Sequence, residues 1–71
     1  MLEKPTKRSM TIAGHATSIS LEPSFWAALS DMAAAHNKSL AEMIGDIDAS
    51  PRAGSLTSAL RVAVLNWVRE A

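Results

Sequence analysis

Ala16-Thr17-Ser18-Ile19-Ser20-Leu21 is the stretch whose reading decides the fold. Strand side chains alternate, so Thr17, Ile19 and Leu21 share one face while Ala16, Ser18 and Ser20 share the other. The pattern predicts one short β-strand in a chain that otherwise reads as helical. A lone strand leaves its backbone N–H and C=O groups unsatisfied, and an isolated hairpin is marginal in water. The expected partner is the same strand of a second copy. That would make an intermolecular antiparallel ribbon with an apolar underside and a small, polar upper face.

The sequence before this strand complicates the register. Met10 and Ile12 are even-numbered, whereas the apolar positions of the strand are odd. A single flat strand cannot hold both patterns, because a one-residue slip reverses every side chain. Gly14 lies between them. A bulge there that resets the register is the preferred reading. A tight turn at Gly14–His15, giving a small local hairpin, is the alternative.

Working outward, residues 1–8 carry Pro5 with Lys4, Lys7 and Arg8 against Glu3, and they read as a flexible basic arm. Residues 9–71 then form the folded domain. Pro23 suits the first position of a helix, where its fixed φ and missing N–H cost nothing. Phe25, Leu29, Met32, Ala33 and His36 follow as one stripe flanked by Trp26, and Asn37 reads as a left-handed terminator. Ser39-Leu40-Ala41-Glu42 has the form of a capping box. Behind it, Leu40, Met43, Ile44 and Ile47 make the inward stripe of a second helix. Ser50-Pro51-Arg52-Ala53-Gly54 reads as a loop.

A third helix takes Ser55 as N-cap and runs from Leu56 to near the end of the chain. Leu56, Leu60, Ala63, Val64 and Trp67 form its main stripe, widened by Val62, Leu65 and Val68. A helix apolar over so much of its circumference needs two neighbours. The dimer core is expected to gather Thr17, Ile19, Leu21, Phe25, Leu29, Met43, Ile44 and Ile47.

Size favours association. In a chain of 71 residues, ordering entropy and burial nearly cancel, so small scaffolds need a staple. There is no cysteine for a disulfide and no cluster with metal-ligand spacing, which leaves oligomerisation. A hydrophobic content of 48% fits a chain that covers part of itself with a partner. No signal peptide or spanning segment is visible, since Ser58, Arg61 and Asn66 break the longest apolar run. The expectation is a soluble, cytoplasmic protein.

Net charge is zero, but its distribution is uneven. Bases prevail in the first eight residues, and from residue 16 onward six acids face four bases. A basic segment ahead of the strand suits a phosphate-facing end. A two-stranded ribbon also fits the DNA major groove. Lys7, Arg8 and His15 are candidates for phosphate or groove contacts, and Ala16, Ser18 and Ser20 for the face turned to the bases. Lys38, Ser39 and Leu40 open the second helix, where free N–H groups and partial positive charge attract a phosphate.

Catalysis finds no support. No nucleophile is paired with a base, no glycine-rich loop would cradle a phosphate, and no cofactor is implied. Glu42, Asp46 and Asp48 fit a solvated, capped helix better than a metal site. Trp26 and Trp67 read as packing residues.

Strand, helix, capped helix: this order resembles the ribbon-helix-helix, Arc/MetJ-like family of DNA-binding proteins. The resemblance rests on Thr17–Leu21, on the stripe of Phe25, Leu29, Met32 and Ala33, and on Ser39-Leu40-Ala41-Glu42-Met43-Ile44. The run from His15 to Trp26 and the segment Leu56-Thr57-Ser58-Ala59-Leu60-Arg61 are similar to a subgroup of short bacterial members. The resemblance implies a mostly α fold with one N-terminal strand, forming an intertwined homodimer that represses transcription from double-stranded DNA. Pairs of dimers side by side on the DNA extend that scheme. It also implies a phosphate anchor at Ser39 and Leu40.

Two departures stand out. The ribbon presents alanine and serine where family members carry long polar side chains suited to bidentate base contacts. The third helix continues past the point where the minimal fold ends. It offers the alternative of a dimerising interaction module or antitoxin whose C-terminal helix binds a partner protein.

Overall fold

The structure is a computed structural model and describes residues 3–51 and 54–70. Met1, Leu2, Arg52, Ala53 and Ala71 lie outside the described residues. So do the first two positions of the expected arm and the middle of the expected Ser50–Gly54 loop. The element order is β1 (Thr6–Ile12), β2 (His15–Leu21), α1 (Pro23–Ala35), α2 (Leu40–Ala49) and α3 (Leu56–Glu70).

The expected strand is present as β2, but its partner is β1 of the same chain. The two strands pair antiparallel from Thr6↔Leu21 to Ile12↔His15. This corrects two expectations, the bulge at Gly14 and a ribbon completed only by a second copy. Ala13 and Gly14 form a two-residue turn in which both residues have positive φ, 51° and 82°. Positive φ at both central residues is what a type I′ hairpin turn requires, and its twist matches that of the strands. The turn also resolves the parity conflict. In this register every even residue of β1 sits opposite an odd residue of β2, so Met10, Ile12, Ile19 and Leu21 all point to one side.

The basic-arm reading is corrected as well. Thr6, Lys7 and Arg8 belong to β1, and Glu3 is held against α1. Its carboxylate accepts hydrogen bonds from the Ser24 amide (3.2 Å) and the Ser24 hydroxyl (2.8 Å). The N-cap of α1 is Glu22, which makes no side-chain cap of its own. Glu3 therefore supplies the acceptor that the first turn of α1 otherwise lacks.

Local signals fix the helix ends. α1 stops in a Schellman motif, with Lys38 N–H donating to Ala33 O (2.9 Å) and Asn37 N–H to Ala34 O (3.1 Å). Asn37 takes the left-handed conformation at φ 57°. α2 opens on the capping box: Glu42 N–H donates to Ser39 Oγ (3.1 Å), and Ser39 N–H donates to Glu42 Oε1 (2.9 Å). Ser55 caps α3 through Ser58 N–H (3.1 Å).

The three helices cover the inner face of the ribbon, α2 against β1 and α3 against β2. Ile12, Ile19, Leu21, Trp26, Leu29, Met32, Ala33, Met43, Ile44, Leu60 and Val64 form one buried cluster. Of the residues expected in a dimer core, Ile19, Leu21, Leu29, Met43 and Ile44 are buried within the single chain, while Thr17, Phe25 and Ile47 are half-buried. The buried stripe of α1 centres on Trp26 rather than Phe25, and His36 is exposed at the helix end. Trp26 is anchored by its indole N–H, which donates to Thr6 O (2.9 Å). α3 buries Leu60 and Val64 but leaves Val62, Leu65 and Val68 about half exposed.

Candidate nucleic-acid interface

The outer face of the ribbon follows from the register. Lys7 lies opposite Ser20, Ser9 opposite Ser18, and Thr11 opposite Ala16. All six side chains are exposed, and no helix packs over them. Ser9 Oγ and Ser18 Oγ lie 3.2 Å apart across the strands, forming a hydroxyl pair at the middle of the face. The surface is flat, small and rich in groups that both donate and accept hydrogen bonds. Lys7 supplies its one positive charge.

Sequence reasoning placed Ala16, Ser18 and Ser20 on this face, and the structure agrees. Ser9 and Thr11 were missed because β1 was not recognised as the second strand. The parity conflict between Met10/Ile12 and Ile19/Leu21 was the signal that could have found them. Arg8 and His15 fall on the opposite side of the ribbon. The Arg8 guanidinium lies over the Trp26 ring, 4.7 Å from its centroid, within cation–π range. His15 closes the hairpin opposite Ile12 and is exposed beside the turn.

At the start of α2 the amides of Leu40 and Ala41 point out of the first turn without an acceptor among the described residues, as helix geometry dictates. Negative charge already stands close by. The Glu42 carboxyl lies below the usual carboxylate range, chiefly through the hydrogen bond from Ser39 N–H and then that from the Ser39 hydroxyl. Lys38 Nζ is ion-paired with Asp46 Oδ2 one turn further along. A phosphate arriving here gains the helix dipole and the open amides, and competes with Asp46 for Lys38.

No described helix is long and apolar enough to cross a membrane. A family model described as a ribbon-helix-helix domain matches residues 5–68, nearly the whole chain. No curated protein and no solved structure gives a significant match.

Proposed function

The chain belongs to the ribbon-helix-helix domain family, and we propose that it is a DNA-binding transcriptional regulator, a repressor, that lays the outer face of its β-ribbon in the major groove. The family is a non-enzymatic class of DNA-binding and antitoxin-type regulator domains. The observation that carries the reading is the uncovered ribbon face, on which Lys7, Ser9, Thr11, Ala16, Ser18 and Ser20 stand exposed side by side. The major groove is about 12 Å wide and admits a two-stranded ribbon. Serine and threonine hydroxyls hydrogen-bond to base edges of either polarity, and Ala16 and the Thr11 methyl suit thymine methyl groups.

Phosphate contacts fall to Lys7 and to the opening of α2, with Lys38, Ser39 and Leu40. Without a bidentate arginine or asparagine on the outer face of the ribbon, discrimination between bases is modest and affinity is strongly salt-dependent. Arg8 and His15 are left out of the base-facing set by their side of the ribbon.

Fluorescence anisotropy of labelled duplexes across a salt series tests the reading. Wild-type protein binds, Ser18→Glu loses binding while keeping its fold, and Lys7→Ala lowers the salt slope by about 0.9 for one phosphate contact. Equal binding by Ser18→Glu and wild type on every duplex would refute it. A second reading, an antitoxin-type module that holds a partner protein on its C-terminal helix, is favoured by one feature alone, the exposed apolar stripe of α3.

A further inference from the structure

We infer that one ribbon reads a DNA site with a direction: Thr11 and Ala16 cover thymine methyl groups at the turn end, and the Lys7–Ser20 end covers none. The inference rests on the DNA-binding reading and adds which end of the site carries which chemistry. It follows from the closing of the ribbon within one chain. A ribbon of two identical strands has a two-fold axis and reads both halves of its site alike. Here β1 and β2 differ in sequence, so the two ends of the face differ too.

The backbone of an antiparallel pair still has a two-fold axis, which passes here between Ser9 and Ser18 at the middle of the face. Rotation about it takes Ser9 onto Ser18, Thr11 onto Ser20 and Lys7 onto Ala16. The first two exchanges put a hydroxyl on a hydroxyl, and the Ser9–Ser18 hydroxyl pair (3.2 Å) lies on the axis itself. The methyl groups break the symmetry. Thr11 has one where Ser20 has none, and Ala16 has one where Lys7 has an ammonium. Thr11 and Ala16 are cross-strand partners next to the Ala13–Gly14 turn, and both are exposed. Directly opposite residues hold their Cβ atoms about 5 Å apart, so the two methyl groups make one small apolar patch.

In the major groove, thymine shows a 5-methyl group where the other bases show only donors and acceptors. The patch at the turn end gains by covering that methyl, whereas the ammonium and hydroxyl at the other end gain nothing from it. Lys7 and Thr11 are four residues apart on β1, which is about 13 Å at ~3.3 Å per residue. A duplex rises ~3.4 Å per base pair, so the thymine lies roughly three to four base pairs from the bases under Lys7.

The test uses the full chain and duplexes it selects from a random-sequence pool. Each thymine of a selected duplex is replaced in turn by deoxyuridine, which lacks only the methyl group, and affinity is read by anisotropy. Replacement at one end of the contacted segment weakens binding about fourfold, the size expected for one buried methyl group, and replacement at the other end changes nothing. The double variant Thr11→Ser, Ala16→Ser has no free methyl on the face. With a wild-type circular dichroism spectrum, it binds the thymine and deoxyuridine duplexes equally. Binding that ignores every deoxyuridine replacement would overturn the inference and leave the DNA-binding reading standing. So would equal losses at both ends, or a double variant that still prefers thymine. Absence of binding to any duplex in low salt would overturn both.

Discussion

Arg61 holds Glu22 with a two-pronged grip, its Nη2 lying 2.9 Å from Oε1 and 3.0 Å from Oε2, with Nε 3.1 Å from Oε1. Glu22 is the N-cap of α1 and follows directly on β2, so this pair fastens the last helix to the junction of ribbon and first helix. The same guanidinium lies 5.8 Å from the centroid of the Phe25 ring. The Glu22 carboxyl is held below the usual carboxylate range, first by a hydrogen bond from its own backbone N–H and then by Arg61, against an opposing effect of burial.

A pH dependence follows from that pair and from Glu42, whose carboxyl is lowered in the same direction. A carboxyl that is more acidic in the folded chain than in the unfolded one stabilises the fold above its unfolded pKa. That contribution is lost as pH falls through its folded pKa. Chemical denaturation is therefore expected to show stability flat around neutrality and falling below the ordinary carboxylate range. The double variant Glu22→Gln, Glu42→Gln is less stable at pH 7, and its acid limb is shallower. An acid limb identical to that of wild type would show that these two groups do not drive it.

The hairpin turn carries a second prediction. Ala13 sits at φ 51°, a conformation that costs an L-residue with a plain Cβ about 1 kcal/mol. Asn-Gly is the preferred pair for such a turn. Ala13→Asn is expected to stabilise the chain by about 0.5–1 kcal/mol, which is several degrees in Tm for a domain of this size. Ala13→Val, stiff at χ1 and crowded at positive φ, is expected to lower Tm.

Gly45 lies in the middle of α2, where α2 crosses β1. A methyl group added there meets Ile12 Cγ2 at 3.7 Å, an ordinary van der Waals contact. Helix propensity favours alanine over glycine by about 1 kcal/mol. Gly45→Ala is thus expected to raise the urea midpoint without changing the slope of the transition. A lower midpoint would mean that α2 and β1 approach more closely than 3.7 Å implies.

Lys38 and Asp46 bear on DNA affinity in opposite senses, because Asp46 engages the lysine that a phosphate would use. Asp46→Asn is expected to tighten binding to every duplex, and Lys38→Ala to weaken it on every duplex. Neither should alter sequence preference, since phosphate contacts position a protein without reading bases. Anisotropy titrations on two unrelated duplexes check both signs.

The parts of this fold that were legible in the sequence are those fixed by local chemistry. Pro23 starts α1, Asn37 ends it, Ser39 with Glu42 starts α2, and Ser55 starts α3, each through bonds within a few residues. β2 was legible because its alternation is uninterrupted. β1 was not, because Lys7 and Arg8 have the composition of a solvated arm. Their place is set by non-local bonds, from Trp26 to Thr6 and across the strands to Ile19 and Ser20. The turn was legible only as the alternative to a bulge, and one residue late at Gly14–His15, because alanine rarely takes positive φ and Ala13 gave no turn signal beyond the glycine after it. Two of the six residues on the ribbon face of the candidate interface were lost with β1. Ser9 and Thr11 stand on the ribbon's outer face only because Ala13 and Gly14 reverse the chain in two residues.

The most direct test of the central claim is the backbone amide NMR spectrum of the chain titrated with duplex DNA. The account predicts that the largest shifts fall on Lys7, Ser9, Thr11, Ala16, Ser18 and Ser20 and on the opening of α2 at Lys38–Ala41, with α3 little changed. Shifts confined to α3, or a spectrum that stays still at saturating duplex in low salt, would contradict it.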